Sequence, residues 1–228
     1  MTDPQKPGLT YHDLRAALSR SGCPICQVRS ERLERFFFWF QNETYCVPIM
    51  VEELIQAGGF CATHARALTN RYVGTVTAQY VLAASRAALE QIHSNQRLRR
   101  KRRRAVAPSG ICPACARAAE EDTVLIDAWI EALAKPEFRE QITHSDGLCL
   151  PHLRRVIDQA PADSTAGFLQ GQIEQLKRLE AELAEYLRKV DHRFAHEPKG
   201  NEQTAWLRAW ERLAGWPLDR LTNSFHDE

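Results

Sequence analysis

Cys23-Pro24-Ile25-Cys26 followed by Cys61-Ala62-Thr63-His64 recurs as Cys112-Pro113-Ala114-Cys115 followed by Cys149-Leu150-Pro151-His152. Six of the seven cysteines belong to this scheme, with 35 residues from Cys26 to Cys61 and 34 from Cys115 to Cys149. Gly59-Phe60-Cys61 answers Gly147-Leu148-Cys149, and Tyr80-Val81 answers Phe168-Leu169. Recurrence at this period makes the repeat the unit of architecture. It places a first unit at residues 9–107, a second at 108–196 and a tail at 197–228.

Proline follows the first cysteine of each pair. Proline is favoured at the first helical position, where its missing N–H costs nothing. Cys23 and Cys112 then sit at helix N-caps, with Cys26 and Cys115 three residues on. The positive end of the helix dipole favours thiolate, the form that binds metal. Cys61 with His64, and Cys149 with His152, stand at i and i+3 on one helix face. Three thiolates and an imidazole match a closed structural zinc site, so the octet Cys23, Cys26, Cys61, His64, Cys112, Cys115, Cys149 and His152 predicts two zinc ions per chain. An iron–sulfur cluster and a redox dithiol are the alternatives. The dithiol expects a βαβ setting and does not account for the recurring Cys-x-x-His. Each unit carries a complete set, so ligands are expected to pair within a unit. The spacing leaves pairing across the units open.

The remaining periodicity is helical. Leu33, Phe36, Phe37 and Phe40 follow i, i+3, i+4, i+7 spacing, as do Val124, Ala128, Trp129 and Ala132. A long helix is expected over about 72–103, with Val73, Val76, Tyr80 and Ala83 on one face. Another is expected over about 166–190, where Leu169, Ile173, Leu176, Leu179, Leu183 and Leu187 form a coiled-coil-like seam. Strand signals are almost absent, and the fold class is all-α. In the tail, Asn201 caps a short helix whose Trp206, Trp210 and Leu213 make a docking stripe against the bundle, ended by Gly215 and Pro217. A partner-binding helix is the other reading of that stripe.

The doubled cysteine–histidine scheme, with Trp206 in a C-terminal helix ending at Gly215, resembles an uncharacterised bacterial family of the domain-of-unknown-function type over about residues 11–215. The resemblance implies metal binding and carries no established activity.

Other features narrow the function less. The 228 residues carry a net charge of +1, with 16 Lys+Arg against 8 Asp+Glu up to residue 104 (+8) and 14 against 21 beyond it (−7). Arg97, Arg99, Arg100, Lys101, Arg102, Arg103 and Arg104 form a candidate phosphate-binding run for nucleic acid; the plainer reading is a solvated helix end. No aromatic residue interleaves the run, so base stacking is not indicated. Phe36, Phe37, Phe38, Trp39 and Phe40 point in nearly every direction round a helix and are expected in the core. Cys46 reads as a small core residue, and His192 and His196 as a solvent-facing pair or a weaker metal site. No nucleophile–base–acid set, phosphate loop or dinucleotide fingerprint is present, so the reading leans away from an enzyme. No secretory signal or membrane-length apolar run is seen, so a cytoplasmic location is expected, where cysteine pairs bind metal more readily than they form disulfides. The expected function is a zinc-binding scaffold that engages a protein partner or a small ligand in the groove between its units. The alternatives are a nucleic-acid-associated regulator and a thiol redox sensor or enzyme with an exchangeable metal.

Overall fold

Two long helices, each begun by a Cys-Pro-x-Cys motif, organise the chain. A computed structural model describes residues 8–44, 47–69, 74–98 and 110–215. Among them are ten α-helices and no strand, as the periodicity required. They are α1 (Leu9–Ala17), α2 (Pro24–Trp39), α3 (Pro48–Gln56), α4 (Ala62–Thr69), α5 (Gly74–Leu98), α6 (Pro113–Ala132), α7 (Pro136–Thr143), α8 (Leu150–Gln159), α9 (Ala162–Val190) and α10 (Ala205–Ala214). A π-helical turn, Phe40–Thr44, extends α2, and a 3-10 turn, Asn201–Thr204, precedes α10. No helix among the described residues is long and apolar enough to cross a membrane. Cys46 and residues 99–104 of the basic run lie outside the described residues.

The chain forms two compact units, Met1–Ser30 with Asp122–Glu228, and Glu31–Glu121. The division expected from the repeat lay at 107/108 and 196/197; the boundaries of these compact units fall inside α2 and α6, and α10 belongs to the first unit. The physical reason is helix stiffness. A 16-residue helix is about 24 Å long, too long for both ends to share one small core.

In the first unit the start of α2 buries Ile25, Cys26 and Val28 among Leu14, Leu125, Trp129, Phe138, Leu148 and Val156. Trp129 packs edge-on against Phe138 at 5.1 Å and Phe168 at 6.1 Å. In this unit α6 buries Leu125, Ile126, Trp129 and Ala132, with Leu133 just past its end, and Val124 is exposed. On α9 the leucine seam is displaced. Ile173 and Leu187 are exposed, and the buried face is Thr165, Phe168, Gln172 and Gln175. The glutamines go inside because unpaired backbone groups wait there. Gln172 Oε1 accepts the Leu148 N–H at 2.9 Å, and Gln175 Nε2 donates to Ile142 O and Ser145 O, both at 2.9 Å.

The tail helix also departs from expectation. Trp206, Trp210 and Leu213 are 45, 59 and 54% exposed, so this stripe does not dock α10 on the bundle. Ala205, Glu202 and Arg212 do. Arg212 donates to the Asp146 carbonyl and to Gln172 Oε1 at 2.9 Å, and Arg208 pairs with Glu182. The polar side has polar partners on the bundle, and the apolar side faces out. Asn201 opens the 3-10 turn, and Thr204 holds the N-cap of α10.

In the second unit Phe37 and Phe40, at the far end of α2, pack with Leu54, Leu68, Cys112 and Ala114. Phe36 and Phe60 close the cluster, while Phe38 and Trp39 are exposed, so the aromatic run is only partly core. Arg32 Nη1 binds the buried Glu121 Oε2 at 2.6 Å, tying α2 to α6 within this unit.

Candidate metal centres

Each unit brings four donors together, and each set mixes the two motif copies. Cys23, Cys26, Cys149 and His152 form one group, and Cys61, His64, Cys112 and Cys115 the other; within each, the ligand atoms lie within 4.8 Å of one another. The expectation that ligands pair within a sequence unit is therefore corrected. Because α2 runs straight from Cys26 into the second unit, α3 and α4 pack on its far end and carry Cys61 there, beside the start of α6. Cys149 and His152 remain for the first pair.

Every half-site is a helix beginning, as the prolines predicted. The Cys23 carbonyl accepts the Gln27 N–H at 3.1 Å and the Cys112 carbonyl the Ala116 N–H at 2.9 Å, which starts α2 and α6. Cys149 is the extended N-cap of α8, and its carbonyl accepts the Leu153 N–H at 2.8 Å. The glycine two residues before each second-half cysteine has a left-handed backbone, φ 97° at Gly59 and 74° at Gly147. At Gly147 a Cβ would also overlap Gln175, Gln172 and Arg212. Asp146 anchors this turn by accepting the Gly22 N–H at 2.8 Å and the Ser21 hydroxyl at 2.9 Å.

The distances test whether the donors suit one ion. Tetrahedral zinc, with Zn–S about 2.3 Å and Zn–N about 2.0–2.1 Å, needs sulfurs about 3.8 Å apart and sulfur–nitrogen edges of about 3.5 Å. In the first group Cys26 and Cys149 sulfurs are 3.6 Å apart, and His152 Nδ1 is 3.5, 3.3 and 3.1 Å from Cys23, Cys26 and Cys149. In the second, Cys61 and Cys115 are 3.7 Å apart, and His64 Nδ1 is 3.3, 3.5 and 3.4 Å from Cys61, Cys112 and Cys115. In each set these four edges suit a single tetrahedral ion, and the two remaining sulfur–sulfur edges lie within 4.8 Å.

The surroundings of the two sets differ. The first is enclosed, with Cys23, Cys26, Cys149 and His152 at 7, 3, 0 and 3% exposure. His152 presents Nδ1 to the thiols and donates its Nε2–H to Asp122 Oδ1 at 3.1 Å, which leaves the Nδ1 lone pair for a ligand bond. Arg29 and Arg155 flank Asp122 at 3.1 and 3.4 Å. The α10 terminus abuts the same site: Gly215, at φ 72°, places its carbonyl 3.1 Å from Cys26 Sγ, and a Cβ on it would lie 3.0 Å from Cys149 Sγ. In the second set Cys112 is buried, and Cys61, His64 and Cys115 are half-buried.

Without a metal, each set must share protons unevenly. Burial opposes ionisation of Cys23, but hydrogen bonds from Cys149, Cys26 and His152 outweigh it and hold the thiol well below its ordinary value. Cys26 is pushed up by the neighbouring Cys149 and Cys23 sulfurs and by burial. Burial also opposes the His152 charge, yet Asp122, Cys149 and Cys23 raise the imidazole to about 11. In the second set burial is outweighed at Cys61 by the backbone N–H of His64 and by Cys115 and Cys112, so its thiol is lowered. Burial, then Cys61 and Cys112, push Cys115 up to about 12. A divalent cation removes this conflict, because it lets all three sulfurs ionise together.

All eight expected ligands thus lie in four-donor groups. His192 and His196 do not join one. They lie exposed in the turn after α9, with His192 Nδ1 3.3 Å from Asp191. The sequence reading missed Asp122, which lies on α6, in the helix begun by the other cysteine pair, so no local spacing ties it to His152. It also missed Gln172 and Gln175, whose spacing from Phe168 (i+4, i+7) marks them as one face of α9. No curated protein and no solved structure matches the chain. The family model described as a family of unknown function, DUF6062, matches residues 14–219, and the chain belongs to that family.

Proposed function

We propose that the protein is a zinc-stabilised scaffold in which each cysteine–histidine group holds one Zn²⁺ by four protein ligands, with an interaction role for the first unit's exposed tail helix. The observation that carries the metal assignment is the near-tetrahedral spacing of two separate Cys3His sets. A ligand cage this small suits one ion, whereas the thiolates of an iron–sulfur cluster bind different irons around a larger body. Four protein ligands leave no open coordination position for substrate, which points to a structural role. Binding in such sites is folding free energy, on the order of 10 kcal/mol per zinc in small peptides. The interaction half is favoured by Trp206, Trp210 and Leu213, an exposed apolar stripe of the residue types enriched at protein interfaces. Elemental analysis of the purified chain tests the metal assignment, with two zinc per chain expected. Less than one metal per chain, or an iron–sulfur absorption band, refutes it.

A further inference from the structure

We infer that the Cys61–His64–Cys112–Cys115 group is a reversible oxidation site, at which hydrogen peroxide joins Cys61 to Cys115 in a disulfide and frees the metal, while the Cys23–Cys26–Cys149–His152 group keeps its own. The inference rests on the zinc reading above. It comes from the contrast between two donor sets of the same composition.

Both sets hold a close sulfur pair, 3.7 Å for Cys61 and Cys115 and 3.6 Å for Cys26 and Cys149. Proximity therefore does not distinguish them; access does. Cys26 and Cys149 are 3 and 0% exposed and lie beneath the α10 terminus, whereas Cys61 and Cys115 are both half-buried. Oxidation of thiols follows access to the sulfur. The first set's ligands sit in an apolar core running from Tyr11 to Phe168, while the described core round the second set is the smaller cluster of Phe37, Phe40, Leu54, Leu68 and Ala114.

The chemistry balances with peroxide as the only added reactant. The Cys61 thiolate attacks one peroxide oxygen, the O–O bond breaks, and a sulfenic acid and hydroxide form. The Cys115 thiolate attacks that sulfur and expels the second oxygen as hydroxide. Two protons convert the hydroxides to two waters, two electrons have passed from the sulfurs to the peroxide, and the new S–S bond is about 2.05 Å, so the sulfurs close by about 1.7 Å. Cys112 and His64 then remain as two of the four ligands, too few to retain the ion. A dithiol reverses the step.

The test uses the full chain loaded with two zinc and treated with mild hydrogen peroxide. Zinc release is followed with a chromogenic chelator, and disulfides are mapped by peptide mass spectrometry. One zinc equivalent is expected to leave clearly before the other, because oxidation follows access to the sulfur. A Cys61–Cys115 disulfide should appear with it, and dithiothreitol with added zinc should restore the starting state. A chain that purifies without two zinc overturns both this inference and the zinc reading. A two-zinc chain that loses both ions together, keeps both, or forms Cys26–Cys149 first overturns this inference alone.

Discussion

Replacing Asp122 probes how the first site is held without touching a ligand. Asp122 Oδ1 accepts the His152 Nε2–H at 3.1 Å, and the carboxylate also pairs with Arg29 at 3.1 Å and Arg155 at 3.4 Å. Asp122→Asn keeps a hydrogen-bond acceptor and removes the charge; Asp122→Ala removes both. Loss of an outer-shell partner costs roughly 10- to 100-fold in metal affinity, or about 1.4 to 2.8 kcal/mol at 1.4 kcal/mol per decade. The asparagine variant is expected near the lower figure and the alanine variant near the upper. Arg29 remains beside Cys26 in both, so the site stays charge-compensated and the fold should persist. The assay is competition against a chelator of known affinity, monitored by zinc content per chain. Asp122 belongs to the first unit and the second group to the other, so the second group's affinity should not move. Unchanged affinity of the first site in both variants, or equal loss at the two sites, would refute the role assigned to this carboxylate.

Three further outcomes follow from the packing. Trp206→Ala with Trp210→Ala should change stability by no more than about 0.5 kcal/mol, since exposed positions away from special features are usually tolerant. Arg212→Ala should cost about 1–3 kcal/mol, because it strands the Asp146 carbonyl and removes one of the donors to Gln172 Oε1; thermal unfolding compares the two, and the reverse ranking would restore the tryptophan docking face. Gly147→Ala should destabilise by at least about 1 kcal/mol, from its left-handed backbone and the overlap with Gln175, and should weaken first-site zinc in chelator titration. Glu202 is held down at about 2 by the Gly200 N–H and by Lys189. A depressed carboxylate stabilises the fold above its unfolded value of about 4.3 and loses that contribution as pH falls. Glu202→Gln should therefore melt below the wild type at neutral pH, with the gap closing between about pH 4.3 and about 2. A gap independent of pH would show that the charge plays no part.

Much of this was legible in the chain. The eight candidate donors, the helix start beneath each cysteine and the all-α class follow from short-range rules: proline at the first helical turn, i and i+3 spacing, and apolar period. Those rules act over a few residues and survive any tertiary arrangement. The burial of the α9 face was only half legible. Its leucines announce a seam, but Gln172 and Gln175 are inside because the loop from Ile142 to Leu148 needs hydrogen bonds there. The exposed tryptophans of α10 failed the usual equation of aromatic with buried, since Arg212 and Ala205 already dock that helix.

The sequence by itself determined which residues could bind metal, and that there were two sets of them. Only the tertiary structure decided the partition into Cys23, Cys26, Cys149 and His152 against Cys61, His64, Cys112 and Cys115. Spacing counts residues and is blind to direction. The path of α2 and α6, each starting at one site and ending in the other unit's core, sets which half-sites meet. That same path put Asp122 behind His152 and left the other set nearer to solvent, so two motifs alike in sequence came to sit in unlike surroundings.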